Sequence, residues 1–351
     1  MLTTNDYINL TKVLGAIPTD DWCRNWPVNR SDMLRQTCKS VKDIVDKIRP
    51  PTSAILTFDN NDNHEDYRNR TIAEKIGKAL KELYRLSIRC NIIVLDLVHC
   101  NIRRPIAFQL LGKLLENCER LINLHLSKNR LGDNGLQVIA PKLIHCQALE
   151  YIDLELNNIG PAGLETLTRV LSNFKKLARI VLNRNELGNT GADSFANMIS
   201  ECPMIINIEL SHNSIGPAGI VKLAGVLGQC KNLSIIDISW NPIRPEGAEI
   251  LAAELPKCLA LSDLRLSNCE IFYAGTVCIA DVLNKCLVLT NLDLSSNRIS
   301  DAGADRIGEV LKQCPVLYWL NLDDNDISND ASDRLAEVLI ECENIECSRC
   351  P

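Results

Sequence analysis

From residue 92 onward the chain alternates apolar and polar positions in a unit that recurs nine times. One copy reads Leu121-Ile-Asn-Leu124-His-Leu126-Ser-Lys-Asn129-Arg-Leu131; others open 28 residues apart at Leu149, Leu177, Ile205, Leu233, Leu261, Leu289 and Leu317. An earlier copy, 92–102, carries Cys100 where most others carry Asn. Leu124 and Leu126 flank a polar residue, the period-two pattern of a strand with one buried face. A stripe at helical spacing follows, as in Leu164, Leu167, Val170, Leu171 and Phe174, and makes one helix face apolar. The alternation predicts parallel strands at 93–97, 122–126, 150–154, 178–182, 206–210, 234–238, 262–266, 290–294 and 318–322. Each is followed by a helix covering the outer side of the sheet, as a parallel crossover must.

Other slots of the unit have their own physical roles. Asn129 and its equivalents are suited to hydrogen-bond backbone in an inward-facing loop, where an unpaired amide costs about 1–3 kcal/mol. Gly132, Gly160, Gly188 and Gly216, with a second series from Gly135 to Gly303, allow a tight turn into the helix. The pattern LxxLxLxx(N/C)x(L/I)GxxG followed by an amphipathic helix resembles the leucine-rich repeat, in its ribonuclease-inhibitor-like class. The resemblance covers about three quarters of the chain. It implies an α/β solenoid, a horseshoe with a parallel β-sheet on the concave face and helices on the convex face.

The ends are less regular. Residues 53–58 read as a strand and Ile72–Leu86 as a helix, together a degenerate first repeat with an enlarged polar loop, Asp59–Arg70. At the other end, Ile345 onward begins a further strand and stops. The array therefore spans 53–351, as one degenerate repeat, nine regular ones and a partial last strand. Residues 1–52 differ in character. Asn5–Leu14 suggests one helix, and Ser31–Ile48 another, with Pro50-Pro51 as its stop. Residues 14–48 are similar to the opening and last helix of an F-box, although Trp22–Arg30 interrupts the region where an F-box has its middle helix. That resemblance implies a ubiquitin-ligase adaptor as partner and a role as substrate receptor. The other reading is a helical cap over the first repeat.

Cysteine usage sharpens the picture. Cys90, Cys118, Cys146, Cys202, Cys230, Cys258, Cys286, Cys314 and Cys342 share one register, and Phe174 fills the missing rung. A slot that accepts Cys or Phe is an apolar filler, so these are read as reduced, buried thiols in a reducing compartment. Aliphatic residues must fill the core, because hydrophobic residues make up 46% of the chain and aromatic ones only 4%. A net charge of −6 without a Lys/Arg cluster argues against nucleic acid as partner. No stretch reaches the roughly 20 apolar residues that cross a bilayer. The expected location is cytoplasmic, with the nucleus as the alternative, and no membrane partner is expected.

No phosphate-cradling motif occurs, and the five histidines are scattered. The sequence thus predicts no catalytic residues, no metal and no cofactor. Function is sought instead in the solvent-facing strand slots, the third, fifth, seventh and eighth of each unit. They hold Asp96, Asp153, Glu155, Glu209, Asp237, Asp263, Asp293, Asp323 and Asp324 against Lys128, Arg179, Arg184 and Arg265. Tyr151, Trp240 and Trp319 fall there too, and exposed aromatics and Arg dominate binding hot spots. A protein-binding scaffold follows, with a folded protein or long peptide of basic or mixed surface as partner. Its expected hot spot is Trp240 flanked by Asp237, His212, Arg184 and Arg265. The alternative to a hot spot is a plain soluble sheet face. A third functional reading is a regulator of a small GTPase or nuclease, since the Ran GTPase-activating protein and ribonuclease inhibitor share this repeat class.

Overall fold

A computed structural model of the chain describes residues 8–9, 53–57, 80–81, 83–85, 87–88, 91–314, 316–342 and 345–347. The chain divides into two compact units, residues 1–158 and 159–351.

In the first unit the strands β1 (Ile8–Asn9), β2 (Ser53–Thr57), β3 (Asn91–Asp96), β4 (Asn123–His125) and β5 (Tyr151–Asp153) pair in sequence order, all parallel. Helix α1 (Pro105–Leu115) follows β3, and α2 (Gly132–Ile139) follows β4 and continues as a 3₁₀ turn to His145. In the second unit β6 (Arg179–Val181), β7 (Asn207–Glu209), β8 (Ile235–Asp237), β9 (Asp263–Arg265), β10 (Asn291–Asp293), β11 (Trp319–Asn321) and β12 (Glu346–Cys347) form a parallel ladder. Helices α3 (Pro161–Leu171), α4 (Gly188–Ile199), α5 (Pro217–Leu227), α6 (Arg244–Glu254), α7 (Phe272–Leu283), α8 (Asp301–Leu311) and α9 (Asn329–Glu341) belong to the same unit. Strand–helix alternation with parallel pairing is the expected α/β repeat solenoid.

Two expectations are corrected. Ile8–Asn9 lies within the helix expected at 5–14, but these residues form a strand paired with Ala54 and Ile55. The pairing satisfies backbone groups that β2 would otherwise leave open along its edge. The expected five-residue strands are mostly three residues long. Just past three of them a side chain takes up backbone: Asp153 Oδ1 accepts the Glu155 N–H at 2.9 Å, and Asp237 and Asp293 do the same for Ser239 and Ser295, although β4, β6, β7 and β9 end at the same slot without such a bond. An N–H captured by its own neighbour's carboxylate is withdrawn from the ladder. The F-box-like segment 14–48, the loop 59–70 and Cys90 lie outside the described residues.

The core forms where the pattern puts it. Leu124, Ile152, Ile180, Ile208, Ile236, Leu264, Leu292 and Leu320, the inward residue of each short strand, are all buried. On α3 the buried side chains are Leu164, Leu167, Thr168 and Leu171. Thr168 replaces the expected Val170, its hydroxyl satisfied by donating to the Glu165 carbonyl. Cys118, Cys146, Cys202, Cys230, Cys258 and Cys314 are buried free thiols; Cys286 and Cys342 are half-buried and also free. Burial pushes the Cys118 and Cys258 thiols up to about 12.

The asparagine slot works as a ladder between repeats. Asn241 is fully buried; its amide donates to the Leu210, Ile238 and Ser239 carbonyls, and its Oδ1 accepts the Asn213 and Ile215 N–H groups, both at 2.9 Å. Asn129 on Asn157 and Asn297 on Asn325 repeat the arrangement. Only part of the glycine expectation holds: Gly132 and Gly188 are left-handed (φ +59° and +58°), whereas Gly160 and Gly216 are extended. The second glycine series serves close packing instead. A Cβ on Gly247 would sit 2.6 Å from Ile243 Cγ2, nearer than carbon atoms approach.

Candidate functional site

The eighth slot, just past each strand, has a backbone conformation that sequence reasoning did not anticipate. His99, Lys128, Leu156, Arg184, His212, Trp240, Asn268, Ser296 and Asp324 all adopt left-handed φ, between 50° and 61°. The turn is imposed by the next repeat: the His212 N–H reaches the Ser239 carbonyl at 3.0 Å, and the Trp240 N–H reaches the Ser267 carbonyl at 2.7 Å. A left-handed non-glycine residue costs on the order of 1 kcal/mol or more. Glycine would relieve that cost, yet none of these nine positions is glycine.

Two of these side chains form an aromatic platform. His212 and Trp240 stack with ring centroids 4.5 Å apart and an interplanar angle of 13°, the near-parallel arrangement favoured by flat π-systems. Trp240 is 49% exposed and His212 is half-buried. The pKa of His212 lies below the usual imidazole value, because of burial first and the Arg184 charge second, opposed by Asp237. Burial thus favours the uncharged ring. Asp237 is itself pushed up by burial, against hydrogen bonds from Ser239 and the charge of Arg265. Beside them, Glu209 accepts from Arg179 at 2.7 Å, Asn183 at 2.9 Å and Asn207 at 3.2 Å.

Of the eight residues the sequence singled out, the structure links Arg184, His212, Asp237, Trp240 and Arg265 through this stack and these charges. Arg265 is committed within its own strand, gripping Asp263 with Nε at 3.0 Å and Nη2 at 2.7 Å. Arg179 is exposed and paired with Glu209. Trp319 is half-buried on β11, three repeats from Trp240. Tyr151 belongs to the first unit and meets His125 edge-on, with centroids 4.8 Å apart and an interplanar angle of 62°.

The acidity of the strand slots is partly turn chemistry. Asp96, Asp153, Asp237 and Asp293 accept N–H groups two residues on, so their carboxylates hold the turn backbone besides facing solvent. Sequence reasoning missed Phe272 and Arg244. Both are bulky and left-handed (φ 54° and 63°) where Gly132 and Gly188 stand in other repeats. Arg298 lies 5.7 Å over the Phe272 ring, and Arg244 pairs with Glu270. The departure from glycine was the visible signal. Among the described residues no group of three or more His, Cys, Asp or Glu is arranged to hold a metal ion, and no helix is long and apolar enough to cross a membrane.

Comparison with known proteins agrees with the repeat. Residues 121–140, 145–167, 201–224, 229–252 and 285–308 match a family model described as leucine-rich repeat. No curated protein matches the chain. Among solved structures, an internalin (inlF) from Listeria monocytogenes str. 4b F2365 is similar over 88% of this chain and 93% of its own, at 14% identity and a TM-score of 0.44. The actin-binding site 2 of leiomodin-1 is similar over 42% of this chain and 87% of its own, at 15% identity and a TM-score of 0.37.

Proposed function

We propose that this leucine-rich repeat protein is a non-enzymatic scaffold that binds a protein or long peptide on the solvent face of its sheet, with the His212–Trp240 platform as anchor. One observation carries the reading. A half-exposed tryptophan is held in a left-handed conformation, braced on one face by an imidazole, where a glycine would satisfy the same backbone bond. Stacking His212 on one face leaves the other to a ligand, and ordering the ring beforehand lowers the entropy lost on binding.

The neighbouring chemistry indicates what that ligand brings. Arg179 and Arg265 are neutralised by Glu209 and Asp263, while Asp237 and Asp293 remain on the same face. A partner presenting Lys or Arg to this surface gains cation–π contact with Trp240 and charge complementarity with the carboxylates.

Trp240→Ala should weaken a partner purified on the intact chain by about 2 kcal/mol or more, roughly thirtyfold, as truncating a central aromatic anchor does. Circular dichroism should remain unchanged, because the residue lies outside the core. Unaltered affinity in the folded variant moves the site off this face.

A further inference from the structure

A second surface lies at the opposite end of the strands, in the turns that lead from each helix into the next strand. Each turn is held by the same pair of bonds. The Cys258 N–H reaches the Leu255 carbonyl and the Leu261 N–H reaches the Cys258 carbonyl; Cys286 and Leu289 repeat the pattern. The intervening residues are thus presented alike from one repeat to the next. In the second unit these positions are polar as Lys175-Lys176 and Lys231-Asn232, with Pro203-Met204 between them, and are apolar in consecutive repeats as Leu259-Ala260 and Leu287-Val288. Leu259 is 79% exposed, Leu287 74%, Val288 40%, Val316 41% and Tyr318 52%. The Tyr318 hydroxyl donates to Glu346 Oε1 at 2.7 Å, which leaves its ring as the part facing outward. The array folds with lysine in the same slot, so packing does not require leucine there. Exposed apolar residues recur in this turn on three consecutive repeats, with Tyr318 just beyond the third, and such clustering marks an interaction surface.

We infer that this row docks an amphipathic helix of a partner protein that carries carboxylates beside its apolar stripe. Consecutive repeats are spaced by the distance between neighbouring strands, about 4.8 Å. A helix advances about 5.4 Å per turn, so one apolar residue per turn meets one repeat after another. The flank is basic. Lys231 occupies the Leu259 slot one repeat earlier, and Lys285 precedes Leu287 by two residues. Among the described residues neither has a carboxylate partner, whereas Lys257 is paired with Glu254 and Lys312 with Glu341. Two unpaired ammonium groups beside an apolar row select an acidic helix. The preference is opposite to that of the aromatic platform, so the two surfaces take different ligands.

The probe is a fluorescein-labelled amphipathic helical peptide with Leu at i, i+4, i+7 and i+11 and Glu along one flank, set against a twin with Lys replacing Glu. Fluorescence anisotropy with the full chain should show saturable binding of the acidic peptide and at least tenfold weaker binding of the twin. Leu259→Asp combined with Leu287→Asp should weaken the acidic peptide tenfold or more, with circular dichroism unchanged. Lys285→Glu should narrow the preference between the twins, and Trp240→Ala should leave both unaffected. The inference is overturned if the acidic peptide does not saturate, if it binds the double variant normally, or if the twins bind alike. It is equally overturned if the double substitution dissociates a dimer of the chain in light scattering, which would make a second copy the occupant. Co-sedimentation with phosphatidylserine vesicles that the double variant abolishes would make it a membrane instead.

Discussion

Replacing Asn241 by Ala tests the inter-repeat ladder at a position where each lost bond is identifiable. Three carbonyls lose an amide donor, but each keeps another partner: Leu210 retains the Asn213 amide, Ser239 the His212 N–H, and Ile238 the Cys269 thiol. The N–H groups of Asn213 and Ile215 fare worse, because Asn241 Oδ1 is their acceptor and both are buried. An orphaned buried donor costs about 1–3 kcal/mol, so two give about 2–6 kcal/mol. Asn241→Cys should cost markedly less. The adjacent repeat already has Cys269 in this slot, where the thiol lies within hydrogen-bonding distance of the Ile238 carbonyl at 3.4 Å and the Ser267 carbonyl at 3.5 Å. Urea unfolding followed by circular dichroism measures the loss, and amide exchange locates it, since repeat arrays open in parts. A loss for Asn241→Ala under about 1 kcal/mol, with Asn213 and Ile215 still protected, would refute the ladder as a source of stability. So would equal losses for Ala and Cys.

Three further outcomes follow from the geometry. His212 should titrate below the usual imidazole value by NMR, Arg184→Ala should raise its midpoint and Asp237→Asn should lower it. Because its folded pKa lies below the unfolded one, its contribution to stability is full above the unfolded value and is lost as pH falls through the folded one. Cys258→Ser should cost about 1–3 kcal/mol by burying a hydroxyl in an apolar site, and its thiol, pushed up to about 12, should resist alkylation of the native protein at pH 8; labelling at the unfolded rate would contradict both. Gly275→Ala places a Cβ against Ile271 and 2.8 Å from Ala248 Cβ and should lower the melting temperature, whereas Gly225→Ala, in open space within α5, should raise it by relieving about 0.5–1 kcal/mol of backbone entropy.

The sequence by itself determined the buried rows of the repeat and the order in which its strands and helices follow. Apolar positions with a period of two and then 3.6 specify a strand and a helix locally, and a 28-residue return stacks like upon like. That is why the buried rows of Leu, Ile and Cys, the asparagine ladder and the parallel pairing were legible without coordinates. Features that depend on a neighbour about thirty residues away were not. Whether Trp240 is left-handed depends on the Ser267 carbonyl of the next repeat, and whether it has a stacking partner depends on His212 of the preceding one. Whether a carboxylate such as Asp153 turned to the backbone two residues on or stayed in solvent was likewise a competition that periodicity does not record. Ile8–Asn9 joined β2 rather than a helix for a related reason: the open edge of a strand more than forty residues away supplied hydrogen bonds to these two residues. Hydrophobic periodicity is a property of one segment, whereas hydrogen-bond partners and ring stacking belong to pairs of segments, and only the folded chain brings those pairs together.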